Sequence, residues 1–208
     1  MLQKFRLNKT FKLIVVCSIS AFVIFYWLNL CNEIPQEEKI LLKVKALGQS
    51  GLNYSYSYKI ILKNGRQEEI FDNYSVWVKN DNSIKLSGVL MGKNINLFQR
   101  ENKVYQLING FWQLTQIDSL EDILLLPYRM VEEGRNWSLT EKLGNHYIFT
   151  FNLNKSPYML DIFWDKIEAY IWINKNNYSI NKIEIRGIKN KDKNRQILLV
   201  YDHFIYSR

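Results

Sequence analysis

The sequence has few residues of the kinds that build metal centres and disulfide frameworks. Its 208 residues include two cysteines and two histidines. Cys17 lies within an apolar run and Cys31 at its end, so the rest of the chain has no cysteine with which to form an internal disulfide. His146 and His203 are far apart in the sequence and give poor support for a zinc site. We therefore expect no metal, no cofactor and no disulfide.

Motifs that assemble a catalytic centre are also scarce. No Gly-x-Ser-x-Gly turn and no glycine-rich phosphate loop occurs in the chain. Asp161 and Asp165 would share one side if their segment were helical, and they flank two aromatic residues, which makes them a weak acid–base candidate. Nothing else places a nucleophile beside a base, so the sequence predicts no catalytic residues and a protein that is not an enzyme.

The longest apolar run extends from Leu13 to Leu30 and holds eighteen residues with no formal charge. At about 1.5 Å per residue, a helix of this length crosses the roughly 30 Å core of a bilayer. Four basic residues and no acid precede it, which assigns the amino terminus to the cytoplasm. The sequence predicts a cytoplasmic basic tail over residues 1–12, a single-pass transmembrane anchor over 13–31 and an extracytoplasmic domain over 32–208.

Cys31 raises the alternative of a cleaved lipoprotein. Cleavage before an acylated cysteine needs a small residue at the preceding position, and that position holds Leu30. We expect Cys31 to be an unlipidated residue at the membrane exit, with acylation as the open alternative.

The charge of the extracytoplasmic part is modest. The whole chain carries +8, of which the four cytoplasmic bases supply +4, and residues 32–208 hold 24 basic and 20 acidic side chains. Nucleic-acid binding needs a clustered basic face, so we expect no nucleic-acid partner. The basic turn over residues 189–195 is interpreted as a soluble hairpin tip, with contact to anionic lipid head groups as the alternative.

Periodicity predicts a sheet with short helices. Pro35 begins a helix whose apolar residues repeat at helical spacing, either packed on the sheet or lying on the membrane. Six strands follow from Tyr54 as a meander, with the strongest hairpin turn at Asn109–Gly110. A helix capped at Asp118 or Ser119 comes next, with a break or a kink at Pro127. Five more strands complete a mainly β fold of about eleven strands, which we expect to curve into a barrel or half-barrel covered by the helices.

Large aromatic residues recur along the predicted strands and are assigned to one face of the sheet. That face is either an ordinary core or the wall of a ligand-binding cavity, where tyrosine hydroxyls find partners more easily. The candidate ligand-binding residues are Tyr54, Tyr56, Tyr58, Tyr74, Phe98, Tyr105, Tyr170, Trp172 and Phe204.

This order of elements resembles the LolA-like half-barrel superfamily, which includes the outer-membrane lipoprotein carrier and the LppX and LprG lipid-binding lipoproteins. The resemblance covers residues 36–208 and lies in Tyr105 and Trp112 around Asn109–Gly110, the helix after Ser119, and the hairpin of residues 172–185. It implies an unclosed antiparallel barrel whose concave apolar face holds acyl chains or an apolar segment of a partner. We therefore expect a membrane-anchored domain that binds a lipid or another hydrophobic ligand. The alternative is a sensory or regulatory module that binds an envelope protein, on the curved sheet or at its edge.

Overall fold

The computed structural model describes residues 35–90, 92–154, 160–192 and 194–207. The chain divides into two compact units, residues 1–39 and 40–208. In the first unit, the described residues begin helix α1 (Gln36–Gln49), with the Lys39 N–H donating to the Pro35 carbonyl at 3.0 Å. The predicted anchor over 13–31 lies outside the described residues. Within the described part, no helix has the length and apolarity needed to cross a bilayer.

The second unit is built on one antiparallel sheet of eleven strands, as the sequence predicts. The order across the sheet is β6-β5-β4-β3-β2-β1-β11-β10-β9-β8-β7, so the first six strands form a meander and the last five return beside β1. In the described residues, β6 and β7 are the two open edges. The strands are β1 (Asn53–Asn64), β2 (Gln67–Val78), β3 (Ile84–Leu90), β4 (Lys93–Arg100), β5 (Lys103–Ile108), β6 (Phe111–Leu114), β7 (Arg135–Leu143), β8 (His146–Asn152), β9 (Lys166–Asn174), β10 (Ile180–Ile188) and β11 (Arg195–Ser207).

Turn chemistry sets the register of the meander. Asn109 and Gly110 both have positive φ, 50° and 84°, the two-residue turn that matches strand twist. This turn pairs Ile108 with Phe111 and Tyr105 with Leu114. Strand β6 ends earlier than the predicted segment 111–117, because beyond Leu114 the chain leaves the ladder, with a last bond from the Thr115 N–H to the Val104 carbonyl at 2.8 Å.

The helices cover one side of the sheet, here called the inner face; the opposite side is the outer face. In α1, Val44 is fully buried in the main core, so the packing of this helix on the sheet is confirmed and the membrane-surface alternative is not needed for it. Helix α2 (Leu120–Leu124) and helix α3 (Pro127–Glu133) contribute Leu120, Leu124 and Met130 to the same core.

The predicted helix after residue 118 is two helices. Ser119 is the N-cap of α2, and its hydroxyl accepts a hydrogen bond from the Glu121 N–H at 3.1 Å. Leu125 ends α2 in the left-handed region, with φ 47°, and Pro127 opens α3 as a first-turn residue. The break expected at the proline is confirmed.

The segment after β8 forms only a short helix, α4 (Leu160–Phe163). Asp161 lies within it, but Asp165 lies beyond its end and accepts a hydrogen bond from the Asn190 N–H at 2.8 Å. The expectation that both carboxylates share one side of a helix is therefore wrong, because the helix ends at Phe163, two residues before Asp165.

Candidate functional site

The inner face is centred on a tight cluster of aromatic rings from β1, β2 and β11. The Tyr58 ring lies 4.6 Å from that of Tyr201 and 4.7 Å from that of Tyr74, and the Tyr56 ring stacks on Phe204 at 5.4 Å. Strand alternation brings the β1 tyrosines to one face, since side chains two residues apart point the same way. We call this set, with Tyr54, Tyr128 and Tyr206 at its border, the inner aromatic cluster.

A bulge in β11 places Phe204 on that face. Ser55 pairs with Ile205, but Ser57 pairs with Asp202, so β11 holds one extra residue at this point. His203 takes up the irregularity with φ 54°. Tyr201 and Phe204 therefore point to the same side although they are three positions apart in the strand.

Three tyrosines from different elements meet at the border of the cluster. The Tyr54 ring meets Tyr128 of α3 edge-on at 5.3 Å, and the Tyr206 hydroxyl donates to the Ile180 carbonyl at 2.6 Å. Burial raises the pKa of Tyr54 and of Tyr206 far above the usual range, and burial also raises that of Tyr128. All three stay neutral at physiological pH and present hydroxyls as hydrogen-bonding groups.

Helices α2 and α3 form a cover over the inner aromatic cluster, and hydrogen bonds from sheet side chains hold both ends of α2. The Gln99 side-chain oxygen on β4 accepts a hydrogen bond from the Leu120 N–H at 2.5 Å. At the other end of α2, the Tyr201 hydroxyl donates to the Leu124 carbonyl at 3.4 Å. Gln99 is only 4% exposed, so its bond to Leu120 is shielded from water. The cover thus closes an aromatic face with two helices of five and seven residues.

Only five of the nine predicted ligand-binding residues share the inner face. The four buried tyrosines, Tyr54, Tyr56, Tyr58 and Tyr74, and the half-buried Phe204 lie there.

The other four, Phe98, Tyr105, Tyr170 and Trp172, lie on the outer face, so the assignment of all nine to one face is wrong. In β9 the inner positions are occupied by Ala169, Ile171 and Ile173. Because apolar residues are continuous along this strand, the sequence does not show which of them face inward.

On the outer face, cations cover the β9 rings. Lys182 Nζ lies 4.7 Å from the Trp172 ring centre, and the Arg186 guanidinium 4.9 Å from that of Tyr170. Both cations form ion pairs with Glu184. Lys182 Nζ lies 2.6 Å from Glu184 Oε2, and Arg186 Nε contacts Oε1. Burial alone would raise the pKa of Glu184, but the hydrogen bonds from Lys182 and Arg186 outweigh it and hold that pKa below the usual value. The charged groups on this part of the outer face therefore pair with one another and with the neighbouring rings.

A recess of about 800 Å³ opens at the end of the sheet where the β1–β2 and β10–β11 turns meet. Leu62 and Trp164 line it together with the charged Glu69, Asp192 and Arg195. It is wide enough for a small ligand, but its mixed lining is that of a solvated groove rather than of an acyl-chain pocket.

The β6 edge of the sheet carries exposed apolar residues that are not among the nine predicted ligand-binding residues. Phe111, Trp112 and Leu114 are 74%, 47% and 63% exposed, and Leu107 of β5 is 37% exposed. The signal was present in the sequence, because residues 104–117 contain no charged side chain in a chain that is 23% charged.

Metal-binding clusters of three or more His, Cys, Asp or Glu are absent from the described residues. His146 Nε2 lies 2.8 Å from Asn181 Nδ2, and His203 Nδ1 lies 2.7 Å from Asp202 Oδ1. Both histidines thus have local polar contacts in different parts of the sheet.

No protein-family model matches the chain. No curated protein matches it either. Among solved structures, the chain is similar to LprF from Mycobacterium bovis, with 10% identity, TM-score 0.49 and coverage of 82% of this chain and 93% of that one. It is similar to lipoprotein LppX from Mycobacterium tuberculosis, with 12% identity, TM-score 0.45 and coverage of 81% and 96%.

A LolA superfamily protein from Nitrosomonas europaea is also similar, with 11% identity, TM-score 0.40 and coverage of 82% and 93%. These structures are of the LolA-like and LppX-like kinds that the sequence resembles. The similarity concerns the fold alone, so any function must be argued from this chain's own residues.

Proposed function

We propose that residues 32–208 form a non-enzymatic extracytoplasmic domain that binds a lipid or another hydrophobic ligand on the inner face of a curved half-barrel. The observation that supports it is the way this face is closed: a buried aromatic surface lies beneath two short helices. A second sheet would cover such a surface permanently, whereas separate short helices form a cover that a ligand displaces in part.

The cover has the features of a movable element. Isolated helices shorter than about 12 residues are marginal in water, so α2 and α3 depend on their contacts with the sheet. They are joined through Leu125, whose left-handed backbone is unfavourable for a residue other than glycine. An acyl chain that enters beneath them replaces their apolar contacts with its own, which leaves little net loss of buried apolar surface.

The inner aromatic cluster suits an amphipathic ligand. Tyr56 and Tyr58 offer flat apolar rings at its centre. Tyr54 and Tyr128 offer hydroxyls at its border, where a carboxyl or ester end of a ligand would accept hydrogen bonds. An acyl tail towards Tyr58 and a polar end towards Tyr128 is therefore the expected orientation.

The amino-terminal segment is proposed to hold the domain at the membrane. Residues 13–31 would span it, with residues 1–12 in the cytoplasm. Intact-mass measurement of the protein extracted from membranes tests this. A chain with its own amino terminus supports the anchor, and a chain that begins at an acylated Cys31 contradicts it.

Native mass spectrometry of the full chain in nanodiscs, followed by organic extraction, tests ligand binding. We expect acyl species bound at about one per chain. Phe204→Ala, which removes a half-buried ring of the inner cluster, should lower the bound amount, whereas Trp172→Ala on the outer face should not. An empty wild-type chain, or equal loss in both variants, would contradict the proposal.

Protein binding is the second candidate function, and the exposed apolar edge at β6 favours it. Cross-linking of the full chain in its native membrane should then capture one envelope protein through β6. If cross-links occur only through other surfaces, this second candidate is wrong.

A further inference from the structure

The two edges of the sheet are built differently, and only one is protected. Edge β7 carries charged residues such as Glu141 and Lys142, and its register with β8 shifts at two points. Charges and bulges are the usual devices that prevent further strand pairing. Edge β6 is in continuous register with β5 and contains no charged residue.

The backbone of β6 directs hydrogen-bonding groups away from β5 at alternate residues. The Thr115 N–H donates to the Val104 carbonyl. Because hydrogen-bonded and non-bonded pairs alternate in an antiparallel ladder, Gln113 and Phe111 also bond to β5, whereas the backbone groups of Trp112 and Leu114 point away from it. Among the described residues, β6 has no second neighbour strand.

Apolar side chains at this edge are exposed on both faces of the sheet. The pairing of Trp112 with Leu107 and of Leu114 with Tyr105 places these residues on the outer face, whereas Phe111 lies on the inner face. A flat partner surface covers only one face. An extended strand covers both, since its side chains alternate between them, and it also bonds the outward backbone groups.

Two basic residues lie near this edge on the outer face. Lys103 begins β5, the neighbour of β6, and pairs in register with Arg100 of β4. Glu101 is the acid of the adjoining turn, with an oxygen 3.7 Å from Arg100 Nε. The excess of positive charge is complementary to an acidic residue at the end of the added strand. A second copy of the chain would bring the same positive charges and fits less well.

We propose that β6 binds an extended segment of another protein as a twelfth strand, with apolar residues beside Trp112 and Leu114 and an acidic residue near Lys103. This inference rests on the second function proposed above, protein binding. It is independent of the inner aromatic cluster.

A fluorescent peptide tests the proposal on the full chain in phosphatidylcholine nanodiscs. The probe alternates valine and threonine over eight residues with a glutamate at each end. We expect saturable binding of this probe. A peptide that ends in lysines instead of glutamates should bind at least tenfold more weakly. A peptide N-methylated at every residue should not bind, because its backbone has no N–H to donate to the ladder. Equal binding of the N-methylated peptide, or binding of the probe to empty nanodiscs, would overturn the proposal.

Matched variants locate the binding edge. Leu114→Lys should weaken probe binding at least tenfold, whereas Leu143→Lys, at a similarly exposed position on β7, should leave it unchanged. Amide exchange gives a second readout: the probe should slow exchange at Trp112 and Leu114 more than at Gln113. Equal effects of the two lysine variants, uniform slowing, or a dimer that Leu114→Lys dissociates would refute the assignment. Acyl content measured on Leu114→Lys keeps this test separate, since it should match wild type whatever the peptide does.

Discussion

Replacing Gln99 with leucine should loosen the cover over the inner face without dismantling the sheet. Leucine is close to glutamine in volume but cannot accept the hydrogen bond from the Leu120 N–H. Gln99 is buried, so water cannot readily take its place as acceptor. The Ser119 hydroxyl still accepts the capping bond from the Glu121 N–H, and it loses only its long bond of 3.5 Å to the Gln99 side-chain oxygen.

The size of the effect follows from the lost bond. A buried backbone donor left without a partner costs about 1–3 kcal/mol. If only α2 and its link to α3 respond, the equilibrium for opening the cover shifts by roughly 5- to 150-fold. The strands keep their backbone hydrogen bonds. The temperature of global unfolding should therefore fall less than it would if the whole of that energy, about 1–3 kcal/mol, were lost from the stability of the entire fold.

Hydrogen exchange at the amides of residues 120–125 measures the opening. These amides should exchange faster in Gln99→Leu by that factor, and a fluorescent fatty acid should enter the protein faster. Gln106→Leu is the control, because Gln106 is a half-buried glutamine on the same face of the neighbouring strand. Unchanged exchange in Gln99→Leu, or an equal change in Gln106→Leu, would refute the idea that this bond holds the cover.

Two further predictions concern the sheet itself. Gly88→Ala should destabilise the fold by about 2–4 kcal/mol in denaturant unfolding, because an added Cβ would lie 2.4 Å from the Asn73 carbonyl oxygen and 2.5 Å from Tyr74 Cα; a loss below about 0.5 kcal/mol would contradict this close approach. Glu184 should stabilise the fold above its ordinary pKa of 4.5, and this contribution should be lost as the pH falls through its lowered folded-state pKa. The melting temperature of Glu184→Gln should therefore depend less on pH below about 5 than that of wild type, and identical acid limbs would show that the carboxylate has no such role.

The succession of strands along the chain and the turns between them could be predicted because their signals are local. Alternation in β1 and the Asn109–Gly110 turn each depend on a few adjacent residues, and the structure follows both. The same holds for the Ser119 cap and the break before Pro127. The end of β6 could not be predicted, because uncharged residues continue to Ile117 although the strand does not.

The faces of the outer strands could not be predicted with the same success. From Tyr170 to Ile173 every residue is large and apolar or aromatic, so no alternation shows which side chains face the core. The outer rings are also covered by long basic side chains such as Lys182. Phe98 and Tyr105 face outward because Leu97 and Val104 take the inner positions. Covering helices and neighbouring strands decide such choices, and they are distant in sequence.

Photo-cross-linking with a diazirine fatty acid tests the central claim most directly. The full chain in nanodiscs is irradiated with the probe, and adducts are mapped by peptide mass spectrometry. We expect adducts on the inner aromatic cluster and its cover, above all at Tyr58, Tyr201 and Leu124, and fewer of them when an unlabelled fatty acid competes. Adducts confined to outer-face residues such as Phe98 and Trp172, or labelling that no competitor reduces, would contradict a ligand site on the inner face.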